Sequence, residues 1–240
     1  MSKQEIIKVI PTIVRPFEKV EGYSLKRDAW LHNELEEKYI FDHQIQQLID
    51  KLVSIDLPQV GNFYADSELT RLNLKKYFNA LFWAQPECML IGEAPGIHGC
   101  VKTGIPFTSE RLIFEDALSF HFPNTRFVVE GKKAEASATV IWREVQRLEK
   151  PPIMWNAFPL HPMDLNGNNR TPRAAELEKG REILSTILEL FPKVKIVSVG
   201  RKAEEACYKL GISTEGHVFH PARHANQFRK QFADLFFKQS

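Results

Sequence analysis

The sixteen residues Gly92-Glu-Ala-Pro-Gly-Ile-His-Gly-Cys-Val-Lys-Thr-Gly-Ile-Pro-Phe107 set four glycines and two prolines around one carboxylate. That composition fixes an irregular backbone close to whatever binds there. At the head of such a loop Glu93 can orient a water or stabilise a developing cation, and Phe107 at its end can offer a flat stacking face. The same residues also suit a rigid strand-to-helix connector with a solvated Glu93 and a core Phe107. Two more polar clusters stand out, Asn156 and His220-Pro-Ala-Arg223. Each has a plainer reading, Asn156 as a turn residue and His220 as a capping or core residue. His98, His161 and Asp164 lack any H-E-x-x-H spacing, so no metal is expected, and no cofactor.

The elements that must carry these residues follow from periodicity. Residues 1–24 are irregular, punctuated by Pro11, Pro16 and Gly22. Over 25–55 the apolar residues recur at spacings of three and four, and 67–83 repeat that pattern, so both are packing helices. Beyond Pro86 short apolar runs alternate with helical segments. Strands are expected at 88–91, 126–129, 153–155, 194–199 and 217–220. Helices are expected at 112–120, 134–148, from Thr171-Pro172 to about 190, at 202–210 and at 227–237. Such alternation implies an α/β fold, a three-layer α/β/α sandwich around a mainly parallel sheet with extra N-terminal helices. The expected organisation is one domain over 1–240, a helical extension (1–85) packed on a catalytic core (86–240). In open parallel sheets ligands bind beyond the carboxyl ends of the strands. All three polar clusters directly follow expected strands, so the fold gathers them at one edge.

The chain has 240 residues, 43% hydrophobic and 26% charged, which excludes disordered, collagenous and disulfide-dense classes. No apolar run approaches the roughly 20 residues that span a bilayer, and the opening Met1-Ser-Lys-Gln-Glu-Ile-Ile-Lys8 lacks a signal-peptide h-region. Three scattered cysteines, Cys88, Cys100 and Cys207, with no C-x-x-C pair, fit a reducing cytoplasmic setting. The net charge of 32 − 30 = +2 hides an asymmetry: residues 1–120 carry 13 basic and 17 acidic side chains, residues 121–240 carry 19 and 13. Residues 216–233 hold His217, His220, Arg223, His224, Arg229 and Lys230 without one acid. This suits a polyanionic partner, or a solvated basic helix face.

The motifs resemble a known family. Gly92-Glu-Ala-Pro-Gly96 followed by Thr103-Gly-Ile-Pro-Phe107 resembles motif one of the uracil-DNA glycosylase superfamily. Its spacing is similar to the single-strand-selective monofunctional branch, its G-E-A-P-G wording to the iron–sulfur branch. Asn156-Ala-Phe-Pro-Leu-His-Pro162 with Asn169-Arg-Thr-Pro-Arg-Ala-Ala-Glu176 resembles the iron–sulfur branch's Asn, proline-containing loop and N-R-T-P helix start. His220-Pro-Ala-Arg223 resembles motif two. The resemblance covers about residues 86–236 and leaves 1–85 unmatched.

It implies a monomeric, monofunctional hydrolase that breaks the N-glycosidic bond of uracil, or a related deaminated base, flipped out of DNA. By resemblance His220 donates to O2 of the leaving base, Asn156 reads N3–H and O4, and Phe107 stacks on the ring. Gly92 and Ala94 help to line the base pocket, and Glu93 positions the water. Arg223 and His224 supply phosphate contact or a wedge, with Arg170 and Arg173 as secondary DNA contacts. Lys102, the one lysine inside a motif, is not expected to be a covalent nucleophile. Two departures stand out. The cluster cysteines are missing, so no iron–sulfur cluster is expected. Ile97-His98-Gly99 also replaces the branch's acidic residues, which leaves the exclusion of thymine's methyl group open, and hypoxanthine and xanthine remain alternative bases. The remaining rivals are a free-nucleoside hydrolase and a catalytically silent DNA-binding module.

Overall fold

The computed structural model describes residues 29–237, and two compact units divide the chain, residues 1–47 and residues 48–240. Residues 29–47 of the first are helical and belong to α1 (Ala29–Val53), with Phe41 and Ile45, one turn apart, both buried. The irregular stretch expected at 1–24 and the expected helix start at 25–28 lie outside the described residues.

The second unit opens with β1 (Val60–Gly61), α2 (Phe63–Asp66) and α3 (Glu68–Ala84). Ser67 caps α3, its hydroxyl accepting from Thr70 N at 3.4 Å. Gln85 ends it in the left-handed region (φ 50°). Four strands follow, β2 (Cys88–Gly92), β3 (Ile153–Asn156), β5 (Lys195–Val199) and β6 (Gly216–Val218). They form one parallel sheet in the order β3-β2-β5-β6. Met89, Leu90 and Ile91 on β2 and Ile153, Met154 and Trp155 on β3 are all buried, because a parallel sheet is covered on both faces. α3 covers the β3 edge: Met154 N donates to the Tyr77 hydroxyl at 2.7 Å, and the Phe78 and Trp155 ring centroids are 5.8 Å apart. An edge strand's free N–H is thereby satisfied by a side chain.

The chain leaves β2 through α4 (Cys100–Thr103), α5 (Glu110–Phe114) and α6 (Ala136–Val145) to reach β3. It then passes β4 (His161–Pro162), which pairs antiparallel with β1. α7 (Ala174–Leu190) carries it back to β5 on the other side of β2, and α8 (Arg201–Lys209) leads on to β6 and α9 (Ala225–Phe236). The connections run in opposite directions across the sheet, and with the right-handed crossovers that parallel strands adopt this puts helices on both faces, the three-layer α/β/α arrangement.

Three expected elements differ. Residues 126–129 form no strand, because Asn73 of α3 takes both backbone groups of Val128 through its side chain, at 2.8 and 2.7 Å. The helix expected over 112–120 stops at Phe114, where Asp116 turns left-handed (φ 55°) and Ala117 N reaches back to Leu112 O at 2.8 Å. Thr171-Pro172 does not open α7. The cap is Arg173, whose N–H donates to Glu176 at 2.7 Å.

Candidate active site

A cavity of about 650 Å³ lies at the carboxyl ends of the four parallel strands. The chain runs from β2 to β3 on one side and returns to β5 on the other, so the cavity sits at the point where the strand order reverses. Gly92, Glu93, Ala94, Phe107, Asn156, Arg170, His220, Arg223 and His224 all line it; Arg173 does not.

Its floor is built around Gly92. Register pairs Gly92 with Asn156, and Ala157 N donates to Gly92 O at 2.8 Å, tying the two strand ends together. A Cβ on Gly92 would stand 2.5 Å from Asn156 Oδ1 and 2.6 Å from Phe107 Cζ. The missing side chain is what lets a carboxamide and an aromatic ring meet at this strand end. Asn156 is buried. Phe107 has a left-handed backbone (φ 53°), unusual for a bulky residue, and its carbonyl accepts from Trp142 Nε1 at 3.1 Å. Backbone strain of this kind persists where the surroundings over-determine it, commonly at binding sites.

Glu93 stands beyond the end of β2. Burial pushes its carboxyl above the ordinary carboxylate range, while the Lys202 ammonium, a Thr171 hydrogen bond and the Arg223 charge pull it back only in part. Lys202 Nζ lies 3.8 Å from Glu93 Oε2 and donates to Thr171 Oγ1 at 2.6 Å, so the start of α8 supplies the cationic partner.

His220 follows β6 in a tight turn, its carbonyl accepting from Arg223 N at 3.2 Å and His224 N at 3.0 Å. Burial, then the charges of Arg223 and His224, hold its imidazole below the ordinary histidine range and favour the neutral ring. Its Nδ1 is buried without a hydrogen-bond partner. Gly200, at the end of β5, has φ 86°, and a Cβ there would come within 3.2 Å of His220 Cβ. Glycine therefore serves both the turn and the approach of the histidine.

The arginines divide. Every N–H of the Arg170 guanidinium is engaged inside the protein: Glu176 at 2.8 and 2.6 Å, Gln59 O at 3.1 Å, Thr171 O at 3.1 Å and Met163 O at 3.0 Å. Arg170 therefore clamps the wall of the cavity and offers no donor to a phosphate. Arg173 bonds the Gln59 side chain and is exposed. Arg223 and His224 are both exposed at the cavity.

Sequence reasoning overlooked Lys202 and Gly200, although both follow a strand as the other clusters do. It also overlooked Glu135, Ser137 and Cys100, which line the same cavity. Among the described residues no three His, Cys, Asp or Glu side chains gather as a metal site. His161 Nδ1 instead meets Pro95 O at 3.2 Å, and Asp164 caps its own turn through Asn166 N and Asn168 N, both at 2.8 Å. The three cysteines are free, and no described helix is long and apolar enough to cross a membrane.

A solved structure described as wild-type SMUG2 from Pedobacter heparinus shares the fold: the TM-score is 0.50 at 16% sequence identity, over 79% of this chain and 94% of that one. No curated protein sequence matches. The family model described as the Uracil DNA glycosylase superfamily matches residues 81–239, from the end of α3 through α9 and thus the whole cavity. With that match spanning well over half its length, the chain belongs to the uracil DNA glycosylase superfamily.

Proposed function

We propose that the protein is a monofunctional DNA glycosylase that hydrolyses the N-glycosidic bond of uracil, or a related deaminated base, flipped out of DNA. The observation that carries this reading is the floor at Gly92, where Asn156 and Phe107 converge on a residue without a side chain. A carboxamide presents one acceptor and two donors, which match N3–H and O4 of uracil. Cytosine presents the opposite pattern, and a site built for uracil would leave buried groups unsatisfied with it. Phe107 offers its face to the ring, offsetting part of the few kcal/mol lost on unstacking.

Cleavage moves the C1′–N1 electron pair onto the base, leaving a cation-like sugar and a base with negative charge at O2. Fixed donors aimed at that charge supply the largest catalytic contribution. His220 is suited to this as a neutral imidazole, since the task is polarisation rather than proton transfer. Glu93 orients the attacking water, takes its proton as the bond to C1′ forms, and offsets the charge on the sugar. The charges of Lys202 and Arg223 favour its carboxylate form against the effect of burial.

Arg223 and His224 at the mouth, with Arg229 and Lys230 on α9, are the proposed phosphate contacts, which position DNA without reading its sequence. Arg173 is a secondary contact. Three unpaired thiols suit a reducing, cytoplasmic setting for a monomer.

The test is a panel of single- and double-stranded oligonucleotides carrying uracil, hypoxanthine, xanthine or a G·T mispair, scored by cleavage at abasic sites. Uracil release is expected. Absence of abasic product from every substrate would remove the enzyme reading in favour of a DNA-binding module. Product from hypoxanthine or xanthine but not uracil would remove the substrate assignment.

A further inference from the structure

The cavity contains a second carboxyl group that the proposed mechanism leaves unused. Glu135 lies at the N-cap of α6 and lines the same cavity as Phe107, and its carboxyl rests on the bare Cα atoms of Gly96 and Gly99. A Cβ on Gly99 would overlap Glu135 Oε2, and one on Gly96 would come within 3.2 Å of Oε1. Two of the four glycines in the loop therefore make room for this carboxyl, which explains a spacing that loop flexibility alone does not.

Burial raises this carboxyl as it does that of Glu93, but no cation of the described residues stands beside it to offset the effect. Among the described residues no hydrogen bond or ion pair reaches its carboxyl oxygens. The ionisable group of α4 that faces it is the buried Cys100 thiol, whose own ionisation burial and the Glu135 charge both oppose. His98, between the two glycines, is exposed. The cavity's cations belong to other elements: Lys202 is committed to Glu93 and Thr171, Arg170 to Glu176, and Arg201 pairs with Glu205 at 3.5 Å. His220, Arg223 and His224 cluster at the turn after β6.

We infer that Glu135 acts as a neutral carboxylic acid that donates a hydrogen bond to a carbonyl oxygen of the bound base, a further determinant of which bases the site accepts. The inference rests on the glycosylase reading above. Burial pushes the Glu135 carboxyl up to about 7, so the protonated form is available at neutral pH, whereas Glu93 keeps a cation 3.8 Å away. Two buried carboxyl groups in one cavity, one with a cation beside it and one without, can divide the roles of base and acid between them. Glu93 is the carboxylate near the sugar, and Glu135 is the acid near the base. A base with a carbonyl at that edge satisfies the donor. An amino group in its place would leave the donor unpaired and add a second donor facing it.

The experiment measures single-turnover release of uracil from a single-stranded oligonucleotide between about pH 5.5 and 9, in the wild type, Glu135→Gln and Glu135→Ala. The wild-type rate should fall above about pH 7, approaching tenfold per pH unit. Glu135→Gln keeps a donor and cannot ionise, so it should hold the neutral-pH rate to within about threefold and lose the alkaline fall. Glu135→Ala should be slower by about tenfold or more at pH 7 and also flat above it. An alkaline fall that persists in Glu135→Gln overturns the inference, as does a Glu135→Ala rate equal to wild type. Loss of activity in Glu135→Gln with an unchanged melting temperature would assign the working form to the carboxylate and overturn it equally. If Glu135→Ala fails to fold, the Gln comparison decides alone. A wild type that releases no base at any pH refutes the glycosylase reading instead, so the two failures are distinguishable.

Discussion

Asn156 Oδ1 lies 2.5 Å from the point where a Cβ on Gly92 would stand, with Phe107 Cζ 2.6 Å from the same point. The two strand ends are locked in register, so neither backbone can retreat. Gly92→Ala must therefore displace the carboxamide, the ring or both. Overpacking of this kind costs about 1–3 kcal/mol of stability. The loss of base alignment should lower uracil excision by about a hundredfold, since a misplacement near 1 Å suffices for that. Melting curves and single-turnover rates on the same preparation check both halves. A variant with wild-type excision would show that the base does not sit over Gly92.

His220→Ala should slow excision by two to three orders of magnitude, roughly the effect of removing one preorganised donor. The pH dependence provides a second check. Burial and the neighbouring charges of Arg223 and His224 favour the neutral ring, so protonation sets in only on the acid side of ordinary histidine. Between about pH 6.5 and 7.5 the wild-type rate should show no limb from this residue. Near-normal turnover in the alanine variant would move the anion-stabilising role elsewhere.

Most of the sheet was legible because buried parallel strands read as apolar runs. Met89-Leu-Ile91 and Ile153-Met-Trp155 fall where periodicity puts them, and the polar residues after them reach one cavity. β1 and β4 are two residues each, too short for any pattern to register. The failure at 126–129 has a different cause, since Asn73, 55 positions away, supplies the hydrogen bonds a neighbouring strand would have. Arg170 looked like a surface arginine beside a helix start, and its engagement depends on Glu176 and on the Gln59 carbonyl, 111 positions away. Glu135 falls at the start of the helix expected over 134–148, where periodicity speaks for packing and not for a cavity; only the glycines opposite it, Gly96 and Gly99, left a trace in the sequence.

Glu135 also makes a stability prediction. Its carboxyl is raised in the folded state to about 7 from an ordinary value of 4.5, so the folded protein holds this proton more tightly than the unfolded chain. The associated stability is fully present below about pH 4.5 and is lost as pH rises through about 7. The loss amounts to roughly 3 kcal/mol at most. Glu135→Gln should remove this dependence, so its melting temperature should exceed that of the wild type increasingly between about pH 5 and 8. Parallel melting curves across that range would show that the carboxyl ionises as freely folded as unfolded.

Arg170 and Arg223 should separate in opposite ways. Arg170→Ala leaves the Glu176 carboxylate, 4% exposed, without its 2.6 Å partner, and breaking one side of a buried pair costs about 3–5 kcal/mol. Its main effect should be a large drop in melting temperature. The salt dependence of DNA binding by whatever remains folded should be unchanged, because none of its N–H groups is free for a phosphate. Arg223→Ala removes an exposed cation at the cavity mouth. It should leave the melting temperature near wild type while lowering the slope of log affinity against log salt by about one. Fluorescence anisotropy with a labelled oligonucleotide at several salt concentrations, run beside thermal melts, decides between them. A normal melting temperature with a reduced salt slope for Arg170→Ala would mean that the clamp opens on DNA and releases its guanidinium to the backbone.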